Sequence, residues 1–173
     1  MTTFILCSWA LALADADLQR STTSLEAEKH HKPRPQRVIL IRHGEKDGGD
    51  DLSARGRERA LCLVRRFAGW NITHLFAYTD HPSKRSVETI SPLSKSLNVP
   101  IDTRAGRDDT DDLVENISAL DDNATALVCW EHDALHDVAK HLGVHHAPDY
   151  PSDEFDLQWV VRDGELLAGK EHC

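Results

Sequence analysis

A chain of 173 residues that is 40% hydrophobic can bury one proper core and has little left over for a second domain. Its formal charge of −9 at pH 7 argues against broad contact with nucleic acid or an anionic membrane, both of which need a basic surface. The partner to expect is a small molecule, with no cofactor implied; if it is a phosphate ester, a few arginines must supply local positive charge.

The first 36 residues differ from the rest. Phe4 to Ala14 is an apolar run too short to span a bilayer, and it ends in small residues spaced like a signal-peptidase site. The preceding Met-Thr-Thr carries no basic residue, so a cleaved leader and a disordered or loosely docked N-terminus both stand, as do secretion and the cytoplasm. Three of the four asparagines, Asn71, Asn116 and Asn123, open glycosylation sequons, which matter only in a secreted chain. Cys7, Cys62, Cys129 and Cys173 make no evident disulfide framework. Ser21 to Gln36 is polar, contains two prolines and reads as a linker, which leaves residues 37–173 as the folded domain.

From Arg37 apolar strands alternate with amphipathic helices, predicting an α/β three-layer sandwich on a mostly parallel sheet. Val38 to Ile41 is a strand covered on both faces. Ser53 is placed to cap a helix bearing Ala60, Leu63, Val64 and Phe67. After a short strand at Leu75 to Tyr78, Pro82 suits the first turn of a helix with Val87, Ile90 and Leu97, which Pro92 should kink or break. Thr110 can cap a helix carrying Leu113, Ile117 and Leu120, with Asp111 and Asp112 well placed in its first turn. Ala126 to Trp130 is a buried strand feeding a helix with Leu135, Val138, Ala139 and Leu142, closed by Gly143. Phe155 to Val161 and Glu165 to Ala168 flank Asp163-Gly164, a hairpin signal that ends the sheet in an antiparallel edge pair.

In open α/β sheets ligands bind beyond the carboxyl ends of the strands, and Arg42-His43-Gly44, Arg85 and His132 all fall just past such ends. Two guanidiniums, Arg42 and Arg85, can bind a phosphoryl group bidentately and hold its charge through the transition state. An imidazole can attack phosphorus near neutral pH and leave again when water attacks. His43 fits that role: Gly44 lets the backbone turn closely around the ring, where a carbonyl can hold one nitrogen and aim the other at phosphorus. A protonated His132 would add a third donor, and a nearby carboxylic acid must protonate the leaving alkoxide.

The run from Val38 through Lys46 (VILIRHGEK) resembles the signature of the histidine phosphatase superfamily, also called phosphoglycerate-mutase-like. Leu52 to Ala60 (LSARGRERA), Arg85 with Glu88-Thr89, and Val128 to His132 (VCWEH) resemble three further family elements, in the same order. The resemblance spans about Arg37 to Val161. It implies that His43 is phosphorylated through a phosphohistidine intermediate, that Arg42, Arg85 and His132 form the phosphate pocket, and that no metal takes part. Mutases of the family carry longer insertions over the substrate, so this short chain is expected to be a phosphomonoesterase acting on a small phosphorylated substrate.

The proton donor departs from the pattern. The main branch uses a Glu in the loop corresponding to Arg104 to Asp112, which here offers Asp108 and Asp109 but no Glu before Glu115. The acid phosphatase branch uses the Asp directly after the second histidine, which makes Asp133 the first choice here, with Glu131 and Asp108 in reserve; Asp133 can equally be a helix N-cap. Glu45 and Lys46 read as residues shaping the entrance. His30-His31, His145-His146 and Asp108 to Asp112 lack metal-ligand spacing and read as solvated segments. A cysteine phosphatase would need an Arg six residues after its Cys, but Ala68 and Leu135 stand there. A haloacid-type enzyme would need paired aspartates after the first strand. The rival of another class is a pseudophosphatase that binds a phospho-ligand or phosphoprotein without turnover.

Overall fold

The structure, a computed structural model, describes Pro35 and residues 37–79 and 83–173. The N-terminal leader, the His30-His31 pair, nearly all of the linker and Pro82 lie outside these residues. Six strands form one sheet in the order β3-β2-β4-β1-β5-β6, with β1 Arg37–Arg42, β2 His74–Ala77, β3 Ile101–Asp102, β4 Thr125–Trp130, β5 Leu157–Arg162 and β6 Glu165–Lys170. β3, β2, β4 and β1 run parallel, whereas β5 pairs antiparallel with both β1 and β6. The β5–β6 turn is the expected Asp163-Gly164 hairpin, both residues having positive φ (51° and 77°) as this turn type requires.

Side-chain alternation along β1 assigns the layers. Val38 and Leu40 pack with Leu113 and Ile117 of α3 (Thr110–Ser118) and with Leu135 and Val138 of α4 (His132–His141). Ile39 and Ile41 face the other way, against Leu63 and Phe67 of α1 (Ala54–Phe67) and Ile90 and Leu93 of α2 (Arg85–Leu97). The result is the three-layer α/β sandwich expected from the sequence. Among the described residues no helix is long and apolar enough to cross a membrane.

Of the four helices only α1 has a side-chain cap bond at its N-terminus. Ser53 caps α1, its Oγ accepting from the Gly56 N–H at 3.0 Å. Gly143 closes α4 with φ 97°, and the Val144 N–H reaches back to the Ala139 carbonyl at 3.1 Å. Asp109, not Thr110, stands at the N-cap of α3, and its side chain makes no capping bond.

Two expectations are corrected and one element is new. α2 runs on through Pro92, because Ile90 and Leu93, buried on the sheet on either side of the proline, hold both halves of the helix in place. β3, only two residues long, was not foreseen. The cysteines do contain a bridge: Cys62 on α1 is joined to the terminal Cys173 across 111 residues, and Cys129 is buried and free.

Candidate active site

Because β1, β2 and β4 are parallel, their carboxyl ends open on one edge of the sheet, and each delivers a polar residue there: His43, Tyr78 and Glu131. The loop after β1 is pinned from several sides. The His43 N–H donates to the Trp130 carbonyl at 3.1 Å, and the Gly44 N–H donates to Thr89 Oγ1 of α2 at 2.8 Å. A Cβ on Gly44 would stand 3.1 Å from Gly56 Cα, and one on Gly56 only 2.4 Å from the Glu45 carbonyl oxygen, so two glycines let the loop lie directly on the start of α1.

The next residue locks the loop by charge. Glu45 receives two hydrogen bonds from buried Arg59, Nε to Oε2 at 2.9 Å and Nη2 to Oε1 at 2.8 Å, and a third from Arg55. Burial opposes its ionisation, but these bonds and the Arg59 charge hold its carboxyl down at about 2. Arg59 also reaches Glu171 at 2.9 Å and Asp156 at 3.2 Å, tying the loop to the C-terminal segment that the disulfide fastens to α1. Glu45 is therefore an anchor, whereas Lys46 lines the cavity as an entrance residue would.

His43 is 1% exposed. Its Nδ1 lies 2.7 Å from the Gly44 carbonyl, the carbonyl contact expected from the sequence, and Nε2 points towards Glu131, with Oε2 at 3.1 Å. Glu131, 7% exposed, also receives a bond from Tyr78 Oη at 2.6 Å and one from Arg85 Nη2 at 3.0 Å. Burial alone would raise the Glu131 carboxyl; the bonds from His43 and Tyr78 and the charges of His43 and Arg85 outweigh it and hold the group far below the usual carboxylate range.

The remaining expected residues divide. Arg85, His132 and Asp133 line the same cavity of about 250 Å³ as Glu131 and Tyr78. Arg42 ends β1 with Nη1 donating to the Ser152 and Glu154 carbonyls at 2.7 and 3.0 Å, its guanidinium 3.9 Å above the Phe155 ring. Its Nε has no partner. His132 Nδ1 is likewise without a hydrogen bond, 4.0 Å from Glu131 Oε2. Burial first, and then the Arg42 charge, pushes His132 below its ordinary value, which favours a neutral ring with these neighbours.

Asp133 has a side chain 59% exposed, paired with Arg107 at 3.3 Å. It sits in the first turn of α4 and is not the N-cap, a position taken by Glu131. Asp108 faces solvent. Glu131, His132 and Asp133 form the only potential metal-binding group among the described residues, with ligand atoms within 4.8 Å of one another. The Glu131 oxygens already accept from three donors, and Arg85 and Arg107 border the site, so a cation would meet competition there.

Tyr78 and Arg107 were missed. Tyr78 read as the end of an apolar strand, although its place at the carboxyl end of β2 was itself a signal; the loop of Arg107 is fixed only in three dimensions, by Trp130 Nε1 donating to the Arg107 carbonyl at 2.8 Å.

The family model of the histidine phosphatase superfamily (branch 1) matches residues 38–111, a span that holds the Arg42-His43-Gly44 turn and Arg85. Over this span the chain is similar to the histidine phosphatase superfamily. No curated protein matches it. Solved structures share the fold at low identity. Phosphoserine phosphatase from Entamoeba histolytica is 12% identical with TM-score 0.55, covering 78% of this chain and 95% of that one. Phosphoglycerate mutase from Plasmodium falciparum is 14% identical with TM-score 0.51, over 78% and 88%. A mycobacterial glucosyl-3-phosphoglycerate phosphatase, solved with inorganic phosphate, is 14% identical with TM-score 0.53, over 72% and 88%.

Proposed function

We propose that residues 37–173 form a metal-independent phosphomonoesterase that hydrolyses a small phosphorylated substrate through a phosphohistidine on His43. The observation that carries this reading is the pose of that ring: Nδ1 is held by the Gly44 carbonyl, and Nε2 points to Glu131, which lines a cavity together with Arg85, Tyr78 and His132. In the reaction Nε2 attacks phosphorus and the ester P–O bond breaks. Arg85, Arg42 and His132 carry the charge on the equatorial oxygens. An arriving dianion favours the protonated form of His132, reversing the effect of burial and Arg42. The leaving alkoxide takes a proton from a carboxylic acid. Water then attacks the phosphohistidine, the P–N bond breaks, and inorganic phosphate leaves. Asp133 and Glu131 line the cavity and are the nearer candidates for the acid; Asp108 is not among its lining residues.

The pseudophosphatase reading has one observation in its favour, the Glu131 carboxylate in contact with Nε2. Incubation with p-nitrophenyl phosphate from about pH 4 to 8, with and without chelator, separates the two. Turnover that survives chelator and disappears in His43→Ala supports the enzyme. Binding of phosphate without turnover in the wild type supports the pseudophosphatase.

A further inference from the structure

Glu131 is more than a neighbour of the nucleophile, because its partners come from the two other strand ends and the helix that build the pocket. Oε2 faces His43 Nε2 at 3.1 Å, while Oε1 accepts from Tyr78 Oη at 2.6 Å and Arg85 Nη2 at 3.0 Å. His132 Nδ1, 4.0 Å from Oε2, is left without a partner. A carboxylate satisfied in this way imitates two of the three equatorial oxygens of a phosphoryl group, and the unused His132 nitrogen marks where a third would lie.

The partners also assign the protons on His43. The Gly44 carbonyl oxygen accepts only, and so does an ionised carboxylate, so with both contacts made the ring donates from Nδ1 and from Nε2. An Nε2 that carries a proton has no lone pair for phosphorus. The resting contact therefore has to be dismantled before phosphoryl transfer, and the proton on Nε2 has to go somewhere.

Resting on the phosphatase reading above, we propose that Glu131 occupies the phosphoryl position of the resting pocket as an internal anion, and that a bound phosphate ester displaces it. As it leaves, the carboxylate takes the Nε2 proton of His43, which frees the nucleophile's lone pair and makes Glu131 the acid that protonates the leaving group.

The balance closes. One proton passes from Nε2 to the carboxylate; the P–Nε2 bond forms as the ester P–O bond breaks; the alkoxide takes the proton from the Glu131 carboxyl. In the second half the carboxylate accepts a proton from the attacking water, and the P–N bond breaks. The proton then returns to Nε2 as the carboxylate resumes its place. The same displacement moves Glu131 from donors that favour its charge to the side of a phosphoryl dianion that opposes it, the direction a proton donor needs. Asp133, mostly exposed and paired with Arg107, undergoes no comparable change.

The test uses Glu131→Gln and Glu131→Ala in the full chain, with thermal melts to show that each is folded. Calorimetric titration with inorganic phosphate should show binding at least about tenfold tighter in both variants than in the wild type, since removing a resident anion favours an incoming one. Turnover of phenyl phosphate, whose leaving group needs a proton, should fall about a hundredfold or more in both variants. Turnover of p-nitrophenyl phosphate, whose leaving group does not, should fall far less. Phosphate binding that is unchanged or weaker means that Glu131 only positions Arg85 and Tyr78, and overturns the proposal. Equal losses on the two esters overturn it as well. If the wild type turns over neither ester and none of the three proteins binds phosphate, the phosphatase reading itself fails, an outcome distinct from both of these.

Discussion

Replacing Gly56 by Ala sets two opposed effects against each other. As a substitution inside a helix, Gly→Ala stabilises by about 1 kcal/mol. At this position, however, the added Cβ would stand 2.4 Å from the Glu45 carbonyl oxygen and 3.0 Å from the Glu45 amide nitrogen, both backbone atoms. Relief to a normal carbon–oxygen contact of about 3.3 Å requires the loop to move by roughly 1 Å. The same carbonyl accepts the Ser53 N–H at 2.9 Å, and the Glu45 side chain is bound to Arg59, so the move strains a hydrogen bond and an ion pair. Overpacking typically costs about 1–3 kcal/mol and a weakened hydrogen bond about 1 kcal/mol more, which exceeds the helix gain. Gly56→Ala should lower the melting temperature by several degrees. A displacement of about 1 Å two residues from His43 should cut turnover of p-nitrophenyl phosphate on the order of a hundredfold. Gly69→Ala is the control, since a Cβ there meets nothing within 4 Å. A Gly56→Ala protein as stable and as active as the Gly69→Ala control would refute the close approach as the device that positions His43.

Other consequences follow from the buried charges and the bridge. Glu171 is buried and shares Arg59 with Glu45 and Asp156, so desolvation prevails and its carboxyl is pushed up to about 8. It then stays protonated in the folded state at pH values where the unfolded chain has ionised it. Stability should fall as pH rises from about 4.5 towards 8, by up to ~1.4 kcal/mol per pH unit. Denaturant titrations between those limits should show that slope in the wild type and lose it in Glu171→Gln; an unchanged slope counts against the assignment. The Cys62–Cys173 bridge closes a separation of 111 residues, so Cys62→Ser should cost about 2–4 kcal/mol by denaturant midpoint. A smaller loss in turnover should accompany it through the Arg59 network, and no loss of stability would mean that the bridge does not form.

Much of the frame was legible because its signals are local. A β-branched run at Val38 to Ile41, a Ser53 cap and an Asp163-Gly164 turn each act within a few residues, and each stands where expected. The clustering of Arg85 and His132 on the edge that carries His43 was legible through strand order, because parallel strands deliver their carboxyl ends to one side. What escaped depends on distant partners. β3 is two residues that become a strand only by pairing with β2, and Cys62 meets Cys173 only after the sheet has formed. Pro92 argued for a break that packing overrides. Arg59 looked like an ordinary basic position on an amphipathic helix, and its burial among three acidic side chains is a tertiary fact. Glu131 was read as a reserve acid beside the second histidine; that its carboxylate lies against the nucleophile needed the geometry of four elements at once.

The proposed reaction depends above all on a covalent bond between phosphorus and one imidazole nitrogen. Rapid quenching of chelator-treated protein with a phosphate ester, followed by peptide mapping under conditions that preserve acid-labile P–N bonds, tests it most directly. One phosphoryl group is expected, on His43, formed and lost at rates compatible with turnover. Turnover with no label on His43, or with the label on another residue, would contradict it.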